Sequence, residues 1–336
     1  MVTIYDIAKK TGFSVTTVSK VLNNYQDVGE KTKRAILEAV EEMGYLPNSH
    51  ARTLTTKKSW TIGVVFIESL GVGMKHPFFN AVIENFKQNV EYLGYDLLFA
   101  SRQISNQEKS YLDHFRYRGV DGIVIVCSTY NDEQVQEIMK ASIPSVVIDL
   151  HSTQSSVVFS DNLSGSRKAV EYLHSLGHKR IAHIAGHEHT FAGVQRLKGY
   201  LDTMEELSLH VPEDYIVDGG YFSRDEGYEA MKKLLGAAEP PTAVYAAGDN
   251  MAIGAIEAIR DAGLQVPEDV SIIGFDDIEL AKFVHPPLTT IRQRTDLIGK
   301  EAAGLLIRQI DKKEKIVESH KIPVELIERK SCKQIT

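Results

Sequence analysis

The sequence predicts a small all-α helix-turn-helix headpiece followed by an α/β core of two lobes built on parallel sheets. Three observations lead there. Short amphipathic helices crowd residues 3–44, strand-like and helix-like runs alternate in two series from Trp60 onward, and 336 residues exceed what one hydrophobic core usually holds.

In the first helix, Thr3 stands at the cap with Asp6 three residues on. Ile4, Ile7 and Ala8 have the i, i+3, i+4 spacing of a buried face. Gly12 tolerates the positive φ of a tight turn, and Ser14 is a good cap for a second helix. On that helix Val18, Val21 and Leu22 turn inward, while Val15, Thr16, Thr17, Ser19 and Lys20 turn outward. Small polar and basic side chains near a helix start can reach base edges and phosphates in a major groove. The same pattern fits a helical hairpin whose outer face is merely solvated. A third amphipathic helix spans 31–44, with Ile36, Val40 and Met43 (and Leu37) inward and Gly44 as its stop.

Pro47 then breaks the chain, and Asn48 can cap a short helix that exposes Leu54 beside Ala51 and Arg52. An exposed leucine there needs a partner: a base step in a minor groove, or the body of the protein. Strand-like runs follow at 61–67, 95–99, 122–126, 145–148 and 157–160, separated by helices near 77–93, 105–118 and 133–141. A second series has strands at 180–185, 215–217, 243–246 and 270–275, with helices near 163–176, 192–207, 224–235 and 250–262. Such alternation argues for parallel sheets covered on both faces. A strand at 288–291, a helix near 295–311 and a last strand at 322–327 look like crossings back between the lobes.

Composition bounds the function. The chain is 43% hydrophobic and 25% charged, ordinary for a globular protein, and no apolar run reaches membrane-spanning length. The opening residues lack the basic and apolar regions of a signal peptide, and two cysteines, Cys127 and Cys332, cannot make a disulfide framework. A cytoplasmic protein without a membrane partner is expected. Residues 1–60 carry nine Lys/Arg against six Asp/Glu, and the remainder 29 against 39. A basic head on an acidic body suits an anion-binding module attached to something else.

Ligands of parallel α/β sheets sit beyond the carboxyl ends of the strands, where Asp161 and Asn162, Asp249 and Asn250, and Asp276 all fall. Carboxylates and amides suit the paired hydroxyls of a sugar, and Phe78 or Phe79 can stack on an apolar ring face. Each aspartate can equally be a helix cap, and one phenylalanine can be core. His183, His187 and His189 cluster in sequence, but no cysteine accompanies them and His183 lies in a buried strand, so no metal is expected.

The run from Thr3 to Leu54, with Thr17-Val18-Ser19-Lys20-Val21-Leu22-Asn23 and Pro47-Asn48-x-x-Ala51-Arg52-x-Leu54, resembles the lactose/galactose repressor (LacI/GalR) family. Gly274-Phe275-Asp276, Leu288-Thr289-Thr290-Ile291-x-Gln293 and Ile298-Gly299 are similar to repressor cores and periplasmic sugar-binding proteins, so the resemblance implies a periplasmic-binding-protein-like core with discontinuous lobes. The implied domains are a headpiece (1–46), a hinge (47–59), a first lobe (60–161 with 292–321) and a second (162–291 with 322–331). The resemblance also implies a homodimer on a pseudo-palindromic double-stranded DNA operator, with Leu54 and Arg52 of the hinge in the central minor groove. Val15, Thr16, Lys20 and Asn23 are then expected to read bases, Lys20 being suited to a guanine edge, and Thr3, Tyr5, Thr17 and Ser19 to contact phosphates.

Carried over residue by residue, the family pattern puts Phe78, Phe79, Asp161, Arg196, Tyr221, Asp249, Asp276 and Gln293 at ligand-contact positions. The spacing after Gly219-Gly220 is one residue longer than in purine-responsive relatives, so Tyr221 or Phe222 can be the aromatic platform. His189-Thr190 stands where those relatives carry an arginine. A sugar or sugar derivative is thereby favoured over a purine as effector. Whether the effector induces or corepresses stays open, as does control by a phosphorylated carrier protein. No cofactor is expected. A periplasmic binding protein would need a signal peptide and no headpiece, and an enzyme would need a nucleophile elbow or phosphate loop that the sequence lacks.

Overall fold

The computed structural model describes residues 2–23, 25, 27–46, 58–66, 75–101, 103–104, 107–127 and 132–335. Arg52 and Leu54 lie outside them. The chain divides into two compact units, residues 1–60 and 61–336.

The first unit holds α1 (Ile4–Thr11), α2 (Val15–Leu22) and α3 (Glu30–Glu42). The Asp6 carboxylate accepts hydrogen bonds from the backbone N–H (2.8 Å) and hydroxyl (2.7 Å) of Thr3, which fixes the start of α1. Gly12 ends it at φ 73°, and Ser14 caps α2 by accepting from the Thr17 N–H. Ile7, Val18, Val21 and Ile36 close the small core. Two residues differ from the expected phase. Leu37 is 44% exposed, because the inner stripe of α3 runs through Ile36, Ala39 and Val40 and leaves Leu37 on its shoulder. Val15, expected to face outward, is half-buried: one side packs on the headpiece core at the start of α2.

The second unit contains β1 (Thr61–Phe66), α4 (Pro77–Glu91), β2 (Asp96–Phe99), α5 (Tyr111–Arg118), β3 (Gly122–Cys127), α6 (Glu133–Lys140), β4 (Ser145–Ile148) and β5 (Ser156–Ser160). These are followed by α7 (Asn162–Ser175), β6 (Ile181–Ala185), α8 (Phe191–Glu206), β7 (Ile216–Asp218), α9 (Arg224–Leu235), β8 (Ala243–Ala246), α10 (Asp249–Asp261) and β9 (Ser271–Asp276). The chain ends with β10 (Thr289–Gln293), α11 (Thr295–Lys312), β11 (Ser319–Ile322) and β12 (Val324–Ile327). The expected helix at 105–118 starts only at Tyr111, where the Ser110 hydroxyl caps it by accepting from the Asp113 N–H.

Two six-stranded sheets result, in the orders β11-β5-β4-β3-β1-β2 and β12-β10-β9-β8-β6-β7. Within these two sheets every pairing is parallel except β12 with β10, and a separate short antiparallel pair joins Gln103–Ile104 to Gln107–Glu108. The central strands are buried on both faces, which is why they read as near-continuous apolar runs. The chain passes from one sheet to the other after β5, after β10 and after β11. The strand expected at 322–327 is two strands. Pro323 has no N–H for a ladder, so β11 ends on the first sheet and β12 begins on the second.

In the second lobe α9 and α10 meet backbone to backbone. A Cβ on Gly254 would lie 1.9 Å from the Arg224 carbonyl oxygen, and one on Gly227 2.3 Å from that of Met251. Neither obstacle is a side chain that can swing away. Gly254→Ala is therefore expected to destabilise the protein by about 1–3 kcal/mol through overpacking, read as a lower urea midpoint. An unchanged midpoint would show that the helices can part at no cost.

Candidate functional site

Parallel pairing brings all the strand carboxyl ends of a sheet to one edge. In the first sheet β4 delivers Asp149 and β5 ends at Ser160. In the second β8 leads to Gly248 and Asp249, β9 ends at Asp276 and β10 at Gln293. The lobes touch at this level, where the Phe159 and Phe191 rings meet edge to face at 5.1 Å.

Arg196, on α8 and 2% exposed, is the centre of the site. Its Nε donates to Asn162 Oδ1 at 2.8 Å and its Nη1 to the Ala247 carbonyl at 2.5 Å. Nη1 also lies 3.5 Å from Asp276 Oδ1, and the guanidinium stacks 3.7 Å over the Phe275 ring. Gln293 Nε2 donates to the same Asp276 oxygen at 2.6 Å. Phe222 packs 5.6 Å from the guanidinium and close to Gly186 and Gly248. It does so at φ 66°, a conformation uncommon for a bulky residue.

Several buried polar atoms here have no hydrogen-bond partner among the described residues: His76 Nδ1, Asp149 Oδ1, Ser160 Oγ and Gln293 Oε1. Asp149 is buried with φ 54° and receives the Ser160 backbone N–H. Burial pushes its carboxyl up to about 6 against the pull of Arg196, and pushes Asp276 to about 6 in the same way. Burial also lowers His76 to about 4, with Arg196 adding to the shift. The site thus presents unpaired acceptors beside a fixed cation, an arrangement that rewards a neutral ligand rich in O–H or N–H donors.

The sequence-derived candidates divide in this frame. Arg196, Asp276 and Gln293 form one hydrogen-bonded group. Asp249 is fully buried and both its oxygens are engaged, Oδ1 by the Thr290 hydroxyl at 2.5 Å and Oδ2 by the Ile278 N–H at 2.9 Å. It is the first residue of α10, not its cap, and burial beside Asp276 raises its carboxyl well above the ordinary value. Asp161 caps α7 through the Ser164 N–H and pairs with Lys321 at 2.9 Å. Phe78 is buried core, whereas Phe79 is half-buried against Phe66 and His76. Tyr221 stacks on His187 at 4.3 Å, and His189 is exposed, so Phe222, not Tyr221, is the ring beside Arg196. His183 is sandwiched between Tyr200 and Tyr245, and no group of three metal-ligating residues occurs among the described residues. Sequence reasoning passed over Asp149, Ser160 and His76. Position at a strand end could have flagged Asp149, which follows β4 as Asp161 follows β5.

On the headpiece, Thr16 and Tyr5 are exposed, the Thr17 hydroxyl bonds to that of Ser14, and the Asn23 amide folds back to the Ser19 carbonyl at 2.9 Å. Thr3 is exposed, Ser19 is half-buried, and the Lys20 ammonium pairs with Asp27.

The raised Asp149 carboxyl makes a signed prediction. In the unfolded chain it titrates at the ordinary 3.8 and in the folded chain near 6, so between those values the folded state holds more protons. Stability from this group therefore falls as pH rises from 4 to 6, and the full penalty stands above 6. Asp149→Asn, which tolerates the positive φ, is expected to stabilise the ligand-free protein by about 2–3 kcal/mol at pH 7.5 and by much less near pH 4. Urea melts at the two pH values decide, and equal effects at both would refute the buried-carboxylate account. His76 and His183, both lowered to about 4, contribute with the opposite sign, so the paired variant and wild type must be compared at each pH.

Comparison with known proteins gives the family. Residues 3–48 match the domain described as bacterial regulatory proteins, lacI family, and residues 170–332 match a periplasmic binding protein-like domain. The HTH-type transcriptional repressor PurR of Haemophilus influenzae (strain PittEE) is 35% identical over 341 residues, covering 100% of both chains. PurR of Pasteurella multocida (strain Pm70) is 35% identical over 340 residues, covering 99% of each. Among solved structures, the lac repressor dimer bound to operator and the anti-inducer ONPF superposes with a TM-score of 0.82 at 27% identity, covering 99% of each chain. The CelR–cellobiose complex gives 0.73 at 30% identity, covering 98% of this chain and 100% of that one. Full-length identity to the repressors, the matched helix-turn-helix and the two-sheet core together place this chain in the lacI family of bacterial regulatory proteins.

Proposed function

We propose that the chain is a ligand-controlled transcription repressor that binds a pseudo-palindromic operator as a homodimer and takes a sugar or sugar derivative between its lobes. The observation that carries this reading is the buried Arg196–Asp276–Gln293 group with unpartnered acceptors around it. Asp149 Oδ1 and Gln293 Oε1 need donors, Ser160 can both give and accept, and the ring of Phe79 or Phe222 can cover an apolar face. Vicinal hydroxyls satisfy that set without adding a charge. The cellobiose bound in the CelR structure and the ribose bound in a LacI family regulator from Enterococcus faecium (TM-score 0.70, 28% identity) support the choice.

In this reading the domains are 1–46, 47–59, 60–161 with 292–321, and 162–291 with 322–331. Val15, Thr16, Lys20 and Asn23 read bases. Thr3, Tyr5, Thr17 and Ser19 hold phosphates, and Arg52 and Leu54 enter the minor groove. Ligand contacts come from Phe79, Arg196, Phe222, Asp276 and Gln293, with Asp149, Ser160 and His76 facing from the first lobe. Asp249 and Asp161 act through the turns they hold, and Tyr221, His189 and Phe78 border the site. Ligand favours one arrangement of the lobes, and operator affinity follows from which arrangement it prefers. A DNA-bound regulator acts in the cytoplasm and performs no chemistry. No helix among the described residues is long and apolar enough to cross a membrane. A planar nucleobase is the second reading, favoured by the aromatic side chains Phe79, Phe191 and Phe222 around the site.

Two experiments test the proposal. Thermal shift of the full chain against sugars, sugar phosphates, nucleobases and amino acids should find a sugar, adding about 2.7 kcal/mol at 100 times its dissociation constant. Asp276→Asn should abolish that shift. A response to nucleobases alone would select the second reading, and silence across the panel would refute the cleft as a small-molecule site. In operator-binding titrations, Lys20→Ala should cost about 1–3 kcal/mol and relax preference at one base pair. An unchanged preference would remove Lys20 from base recognition.

A further inference from the structure

The Lys20 ammonium, on the outward face of α2, is in contact with the Asp27 carboxylate, which lies in the connection between α2 and α3. Both side chains are exposed, at 42% and 56%. A carboxylate is costly on a surface that must approach phosphates, and the other headpiece acids with identified partners are engaged away from α2. Asp6 binds Thr3, Glu38 pairs with Arg34, and Glu42 with Lys10. Hydrogen bonding to Lys20 holds the Asp27 carboxyl below its ordinary value, so it is an anion at neutral pH.

The pair offers a donor and an acceptor side by side. Lysine has three N–H donors, so its bond to Asp27 leaves others available, and a carboxylate accepts through four lone-pair sites. In the major groove a G·C pair presents O6 and N7 acceptors on guanine next to the N4 amino donor of cytosine. An A·T pair presents its amino donor and carbonyl acceptor in the reverse order. We propose that Lys20 and Asp27 act as one unit that reads a single G·C base pair in each half-site, Lys20 on guanine and Asp27 on the cytosine amino group. Asp27 is then a specificity-determining residue: it restrains binding to any sequence that offers it no amino group. The inference rests on the headpiece being the DNA-reading element, as proposed above.

Selection of binding sites from a randomised duplex library by the full-length chain, followed by titration of single-base variants at several salt concentrations, tests it. Wild type should select G·C at one position per half-site, with Lys20 and Asp27 both required. Asp27→Ala should lower discrimination there by about tenfold while raising affinity for unrelated sequence, because a charge repelled by the phosphates is gone. Retained binding to unrelated DNA also shows that the variant is folded. Lys20→Ala and the double variant should lose no more discrimination at that base pair than Asp27→Ala alone. If Asp27→Ala keeps the base preference while Lys20→Ala loses it, the paired readout is overturned and the DNA-reading role of α2 stands. If Asp27→Ala raises affinity for all sequences equally, the carboxylate is only a brake and the proposal falls. If wild type selects no sequence, the headpiece reading itself fails, and the pair with it.

Discussion

Burying the Arg196 guanidinium obliges the rest of the cleft to answer one positive charge. A buried cation survives only with hydrogen-bond partners and counter-charge. Asn162 and the Ala247 carbonyl satisfy its N–H groups, Asp276 supplies charge at 3.5 Å, and Phe275 covers its face. Each partner comes from a different element: α7, the end of β8, the end of β9. Folding the second lobe correctly is therefore the same event as assembling the site. The carboxylates answer the charge incompletely. Asp149 and Asp276 sit far enough from water that burial outweighs Arg196, and both stay poised near 6. Stability is therefore given up at these two carboxylates above the pH at which they titrate.

Asp276 and its neighbours show how the position is held. Asp276 has φ 121° and Asp277 φ 59°, an unusual backbone path for two consecutive non-glycine residues. Asp249 takes the Ile278 N–H, Asp277 is clamped by Arg292 at 2.7 Å and by Arg329, and Gln293 takes Asp276 itself. The strain at this turn is balanced by that ring of bonds, which fixes the direction of the Asp276 carboxylate. The same turn adjoins β10, which leads into a crossing between the lobes, so the Asp276 position and the lobe crossing share residues. Arg294 at that crossing bonds Asp296 on α11 and Glu325 on β12, one from each lobe.

Much of this was legible from residue order. Near-unbroken apolar runs mark the strands 145–148 and 243–246 to the residue, because strands buried on both faces need apolar side chains at nearly every position, and Ser14 marks the start of α2 as its cap. Arg196, Asp276 and Gln293, singled out by family motif and strand-end position, form one connected group. Leu37, the half-burial of Val15 and the splitting of 322–327 were not legible, since each depends on a rotation or an exit direction that neighbours in space decide. The choice between capping and binding for Asp161 and Asp249 was equally beyond the sequence. A carboxylate one residue past a strand has the same local pattern whether its oxygens meet a helix N–H, a threonine or a ligand.

What the sequence by itself determined is the family, the helix-turn-helix, the alternation that builds two parallel sheets, and the basic-headed charge pattern, all properties of local order and composition. The tertiary structure alone decided which polar residues converge. Asp149, Ser160 and His76 are some 36 to 120 residues from Arg196, and Phe222 rather than Tyr221 meets it. Their proximity arises because parallel pairing collects distant strand ends at one edge and three passages of the chain set the two sheets together. Sequence spacing carries no record of which of those ends are buried without partners.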